Sequence, residues 1–138
     1  MASLTNDVTG MIMDNLYIEQ TKSSPEIDFN AKTNVLKIQG ESYPENTIRF
    51  YVPIINWLEQ YSQNIKNQSV EVNIELIYFN SSSSQILLNI FDLLEKCQQN
   101  ENQVTVNWIY DEENDSALES GEDFQEELSY ITFNLVEK

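Results

Sequence analysis

The sequence predicts an α/β domain, a mixed central sheet covered by helices in the order β-β-α-β-α-β-α-β. Two neighbouring segments carry this expectation. From Val70 to Phe79 apolar residues recur at alternate positions, the period of a strand. From Ile86 to Cys97 they recur at spacings of one, three and four, the period of a helix. The same two periods alternate on both sides of this pair, and 138 residues suffice for one domain with a substantial core.

Residues 1–15 are polar and weakly patterned and read as a flexible N-terminal arm, leaving residues 16–138 as the single domain. Leu16 and Ile18, alternating with Tyr17 and Glu19, begin a short strand. Ser23-Ser24-Pro25 punctuates the chain. Ile27 and Phe29, then Val35, Leu36 and Ile38, flank the polar turn Lys32-Thr33-Asn34 and form a hairpin that Gly40 closes. Ser42-Tyr43-Pro44-Glu45 has the Ser-x-x-Glu form of a capping box, with Asn46 a competing N-cap. Beyond it Ile48, Tyr51, Val52, Ile55, Leu58 and Tyr61 share a helical face. Pro53 lacks the N–H of a helix interior, so this helix is expected to be disturbed in its first half.

In the Val70–Phe79 strand, Ile77 and Phe79 join the alternation so that both faces become apolar. Its last third is therefore expected to be buried on both sides, as in a central strand. Asn80 to Ser84 breaks the strand, and the Ile86–Cys97 helix follows. Val104, Val106, Trp108 and Tyr110 give another strand. Ser116 to Leu128 is an acidic helix, and Ile131, Phe133 and Leu135 alternate as the last strand.

Composition removes several function classes. Seven Lys and Arg oppose 23 Asp and Glu, for a formal net charge of -16, which repels phosphate backbones and anionic lipid. Neither nucleic acid nor membrane is an expected partner. The absence of histidine removes imidazole bases, Ser–His and Cys–His pairs and imidazole zinc sites. Cys97 is the only cysteine and lies on a helical apolar stripe, so it reads as a small core hydrophobe in a reducing compartment. No run of about 18 apolar residues is present to cross a bilayer. Met1 to Gln20 has Asp7 and Asp14 but no basic residue, unlike a signal peptide. A cytoplasmic protein is expected.

The run Ser81 to Ser84 stands at a strand-to-helix turn, where a hydroxyl has two possible tasks. It caps the helix by accepting a backbone N–H, or it accepts a phosphate that the helix N-terminus favours. Capping needs one serine, and four are present. Asp111, Glu113, Asp115 and Glu122 hold positions one, three, five and twelve of a calcium-loop spacing, but Ser116 stands where the sixth position requires glycine. No metal ligands are therefore assigned. A small metal-dependent enzyme or metal-binding protein using the Asp111–Asp115 loop is the alternative function. No glycine-rich phosphate loop and no assembly of nucleophile, base and orienting group is present, so neither cofactor nor catalytic residue is expected.

Four motifs resemble the SiaC-type regulatory phosphoproteins. Gly40-Glu41-Ser42-Tyr43-Pro44-Glu45-Asn46 looks like the family's G-x-S-Y-P-E-N signature. Tyr78-Phe79-Asn80-Ser81-Ser82, Ile90-Phe91-Asp92-Leu93-Leu94-Glu95 and Trp108-Ile109-Tyr110-Asp111 follow in family order, and the similarity runs from about Ile27 to Phe133. The resemblance implies a STAS-like fold and a partner switch of the anti-sigma-factor-antagonist type, with no enzymatic activity of its own. A cognate serine/threonine protein kinase would phosphorylate the chain, and a metal-dependent protein phosphatase would reverse the modification. The unphosphorylated form would bind and activate a downstream signalling enzyme, such as the diguanylate cyclase of the biofilm-controlling branch. Carried over by motif, the acceptor is Ser81 after Asn80, where the family pattern has Thr, and Ser82 is the second choice. Tyr43, Pro44, Glu45, Asn46, Asn80 and Ser82 would form the partner-binding surface. The long N-terminal arm and Pro53 are further departures from the pattern.

Overall fold

The computed structural model describes residues 13–138, so residues 1–12 of the expected arm lie outside it. The remaining arm residues are tied to the fold. Met13 packs on the core, the Asp14 carbonyl accepts from Trp57 Nε1 at 2.9 Å, and Asn15 Oδ1 accepts from the Ala31 N–H at 2.8 Å.

The elements are β1 (Leu16–Ile18), β2 (Glu26–Asn30), β3 (Val35–Ser42), α1 (Thr47–Asn64), β4 (Ser69–Phe79), α2 (Ser81–Gln99), β5 (Gln103–Tyr110), α3 (Asp115–Glu127) and β6 (Thr132–Glu137). They form one six-stranded sheet in sequential order, β1 to β6. The β1–β2 and β2–β3 pairs are antiparallel, and the β3–β4, β4–β5 and β5–β6 pairs are parallel. The mixed sheet is as expected. Its first strand is the weak Leu16–Ile18 signal, held by pairing with Ile27 to Phe29.

Each parallel pair is joined by one helix, and successive strands are neighbours. Three like-handed crossovers therefore place α1, α2 and α3 on one face of the sheet. Burial follows that layering. Along β4, Val70, Val72, Ile74 and Leu76 are buried under the helices, while Glu71 and Ile77 are exposed. The expectation that β4 ends buried on both faces is corrected by this layering. Ile77 is 63% and Tyr78 52% exposed, because among the described residues no helix covers the second face.

The core lies between that sheet face and the helices. Trp108, Tyr51, Tyr61, Phe29 and Phe91 are its largest fully buried side chains. Cys97 is buried among them, as its place on the α2 stripe predicts, and burial pushes its thiol up to about 11.

Two expectations for α1 are corrected. The cap is Asn46, whose Oδ1 accepts from the Arg49 N–H at 3.0 Å, and not Ser42. Ser42 ends β3, fully buried, and its hydroxyl is engaged by Tyr51 and Ser83. The helix also runs unbroken through Pro53. Arg49, whose carbonyl the missing N–H would have met, is an exposed residue, where the lost bond costs least. The inward face is Tyr51, Ile54, Leu58 and Tyr61, which leaves Ile48 and Val52 outside.

The β5–α3 loop does not wrap a cation. Asp111 Oδ1 accepts from the Glu113 N–H, and Asn114 caps α3 through the Ala117 N–H, so the segment is a capped turn. Among the described residues no group of three or more acidic or thiol side chains is placed to hold a metal ion. The metal-dependent alternative has no structural support.

Candidate functional site

The site forms where β3 and β4 end side by side. Ser42 pairs with Phe79, beyond a register shift at Gly40/Glu41 in which Ile77 is the extra residue on β4. Gly40 has φ +130°, a backbone that favours glycine, and a β-carbon there would lie 3.0 Å from Gln20 Cδ. Beyond Gly40, β3 ends at Ser42, and the turn Tyr43, Pro44, Glu45 and Asn46 follows before α1.

Asn80 begins that helix. Its N–H donates to the Ser42 carbonyl at 3.0 Å, and its Oδ1 accepts from the Ser83 N–H at 2.9 Å. Asn80 therefore performs the capping that the sequence left open to a serine. The serines divide by orientation. Ser81 and Ser82 are exposed, Ser83 is fully buried and Ser84 is half-buried. Ser81 and Ser82 are the first two residues of the helix, where backbone N–H groups have no intrahelical acceptor. No acidic residue lies in this first turn. An anion added there meets free donors and the positive end of the helix dipole.

Two apolar surfaces flank the turn. On one side Tyr43 and Tyr78 meet edge to face with centroids 5.8 Å apart, next to exposed Ile77. On the other, α1 and α2 leave a groove with contiguous cavities of about 420 and 300 Å³. Ile48 and Ile86 line both cavities; Glu45, Asn46 and Ser82 line the first, and Val52 lines the second. Ile48 is 68% and Val52 46% exposed. The motif residues Tyr43, Pro44, Glu45, Asn46, Asn80, Ser81 and Ser82 thus converge on one end of the sheet.

The periodicity puts Ile48 and Val52 on one helical face with Tyr51 and Leu58 and predicts burial of the Ile77–Tyr78 end of β4, whereas the structure places all four on this surface. One signal was available for α1. Its apolar positions are too many for one face, and the surplus identifies a second face. The buried neighbours Ser42, Tyr51 and Ser83 were also missed in this role. Burial pushes the Tyr51 hydroxyl up to about 12, so it stays neutral in ordinary conditions.

The comparisons with known proteins agree with this fold. The family model described as SiaC family regulatory phosphoprotein matches residues 18–138. An uncharacterised protein of Pseudomonas aeruginosa (strain UCBPP-PA14) is 34% identical over 118 residues, covering 86% of this chain and 93% of that protein. The structure of SiaC of Pseudomonas aeruginosa superposes with a TM-score of 0.82 at 32% identity, covering 91% of this chain and 100% of that one. A second similar structure, from the same organism, is the diguanylate cyclase SiaD in complex with its activator SiaC. It gives a TM-score of 0.83 at 32% identity and covers 89% of this chain and 99% of the matched one. With residues 18–138 matched by the family model, and a relative 34% identical over 118 residues, the chain belongs to the SiaC family of regulatory phosphoproteins.

Proposed function

We propose that this chain is the non-enzymatic, cytoplasmic adaptor of a partner switch, phosphorylated reversibly on Ser81, with Ser82 as the second choice. The unphosphorylated form binds and activates a diguanylate cyclase. A cognate serine/threonine protein kinase adds the phosphate, and a metal-dependent protein phosphatase removes it. The observation that carries this reading is the position of Ser81, exposed on an uncharged helix N-terminus between two exposed apolar surfaces. The likeness to an activator seen in complex with its cyclase supports the choice of partner.

The physical basis is desolvation. Tyr43, Pro44, Glu45, Asn46, Asn80 and Ser82, extended by Ile48, Val52 and Ile86, offer a partly apolar surface that a partner covers at little cost. A phosphate adds a charge of roughly -1.5 to -2, which must be stripped of water before close contact. The helix N-terminus stabilises that phosphate within the free protein, so the modification leaves the fold intact and opposes docking.

Intact-mass measurement with kinase and ATP, combined with a cyclase assay, tests the reading. One added phosphate is expected in wild type and in Ser82→Ala, and none in Ser81→Ala. The unmodified protein should stimulate the cyclase and the phosphorylated protein should not. Equal stimulation by both forms would overturn the switch, and phosphate lost only in Ser82→Ala would move the acceptor.

A further inference from the structure

Behind the acceptor turn lies a buried chain of three hydroxyls. Ser42, Tyr51 and Ser83 are fully buried and come from β3, α1 and α2. Ser42 Oγ lies 2.7 Å from the Tyr51 hydroxyl and 2.7 Å from Ser83 Oγ, and Ser83 Oγ donates to the Ser42 carbonyl at 2.9 Å. Each hydroxyl carries a single proton. The Ser83 proton is committed to the carbonyl, so Ser42 donates to Ser83 Oγ. Tyr51 in turn donates to Ser42 Oγ. Every proton is used once, in one direction, from α1 through β3 into the first turn of α2. The same Ser42 carbonyl accepts the Asn80 N–H, so the residues bracketing Ser81 and Ser82 are tied to one atom.

The cap does not require this chain. Asn80 satisfies the Ser83 backbone N–H with its own side chain, and alanine at residue 83 would keep that bond. A third-position hydroxyl buried in the core therefore has a task other than capping. It anchors the helix start in the rotational phase that the buried stripe from Leu87 to Cys97 sets for the rest of α2. Successive residues turn by roughly 100° about a helix axis. With Ser83 held inward, Ser82 turns toward the groove beside Glu45 and Asn46, and Ser81 points away from both core and groove.

We propose that the Ser42–Tyr51–Ser83 chain determines which serine is modified, by holding Ser81 outward, keeping Ser82 at the groove and withholding Ser83. These three are positioning residues, and the inference rests on the phosphoswitch reading above. Without the chain, the first turn keeps its Asn80 cap and the Asn80 N–H bond to the Ser42 carbonyl but loses its inward side-chain anchor, so it frays more readily and Ser81 and Ser82 are less sharply distinguished.

The test is phosphosite mapping by fragmentation mass spectrometry on the full chain, after treatment with the cognate kinase and ATP. Wild type should carry phosphate on Ser81. In Ser83→Ala the Ser81:Ser82 ratio should fall by about fivefold, the scale of one net hydrogen bond. Tyr51→Phe should shift it in the same direction by less, since it removes only the far end of the chain. Amide hydrogen exchange of the unmodified proteins, which needs no kinase, should quicken in the first turn of α2 in both variants. A wild-type site ratio and wild-type exchange in Ser83→Ala, with only a lower melting temperature, would overturn the inference and leave the switch standing. Wild-type protein without phosphate on Ser81 or Ser82 would instead overturn the switch. Should Ser83→Ala fail to fold, Tyr51→Phe decides the question alone, because it keeps the ring and removes one oxygen.

Discussion

Replacing Gly121 by alanine measures how closely α3 sits on the sheet. A β-carbon at this position would lie 2.5 Å from Trp108 Cδ1, 2.7 Å from Trp108 Nε1 and 2.8 Å from Leu135 Cδ2. Ordinary carbon contacts begin near 3.5 Å, so the indole or the helix must retreat by about 1 Å. The indole is not free to do so. Its Nε1 donates to the Ala117 carbonyl at 2.8 Å, and Phe79, Phe124 and Phe133 surround it at centroid distances of 5.8, 5.3 and 6.3 Å. Alanine in a helix interior contributes about 1 kcal/mol over glycine. Overpacking costs about 1–3 kcal/mol, and a buried indole donor left without its acceptor costs a further ~1–3 kcal/mol. The costs prevail, and a net loss of about 3 kcal/mol is expected. Urea unfolding followed by tryptophan fluorescence should show a lower midpoint at unchanged slope. A midpoint at or above that of wild type would refute the packing argument.

Alkaline pH should destabilise the fold. Burial raises the Cys97 thiol from 9.0 to about 11 and the Tyr51 hydroxyl from 10.0 to about 12. Both groups are neutral when protonated, and the folded state retains protons that the unfolded chain releases. Their stability contribution is complete below pH 9.0, then falls as pH rises through 9.0–11 for Cys97 and 10.0–12 for Tyr51. Thermal melts across that range should decline, less steeply in Tyr51→Phe, and a flat profile would contradict the burial. At the groove, Ile48→Lys should change stability by no more than about 0.5 kcal/mol, because Ile48 is largely exposed. The same change should weaken binding to a SiaD-type cyclase by about tenfold or more, as measured by calorimetry. Unchanged affinity would place the partner on another surface.

Where one period dominates, the sequence was readable. The alternation in β4 and the helical stripe of α2 correspond to single elements, Ser69–Phe79 and Ser81–Gln99, because each buries one regular face. β1 was barely visible, since three residues hold little pattern and the strand depends on its pairing with β2. Which sheet face stays open was not legible from β4. An apolar Ile77 has the same period whether a helix covers it or not, and the crossovers place all helices on the other face. α1 misled for a related reason. Ile48 and Val52 lie on a surplus apolar strip, and only the direction of Tyr51 and Leu58 toward the core shows which strip faces out. The convergence of Tyr43–Asn46 with Asn80–Ser82 was foreshadowed by the motifs. The Ser42–Tyr51–Ser83 contact was not, since it joins residues 41 apart through a strand pairing that periodicity does not reveal.

Each of the three helices among the described residues starts on asparagine, at Asn46, Asn80 and Asn114. Aspartate would cap as well and would gain from the helix dipole, and this chain is rich in carboxylates. At α2 the neutral choice leaves a quiet patch on a loud background. A surface charge is felt by a partner over roughly 8–10 Å at cellular salt, so the net charge of the whole chain does not decide what a docking segment reads at Ser81. It reads the first turn of α2, where no carboxylate is present. A phosphate there adds about -2 to a turn that carries no charge of its own and has Glu45 across the groove, while it alters the charge of the whole protein only slightly. Contrast of that kind allows a protein at -16 to carry a message written in negative charge.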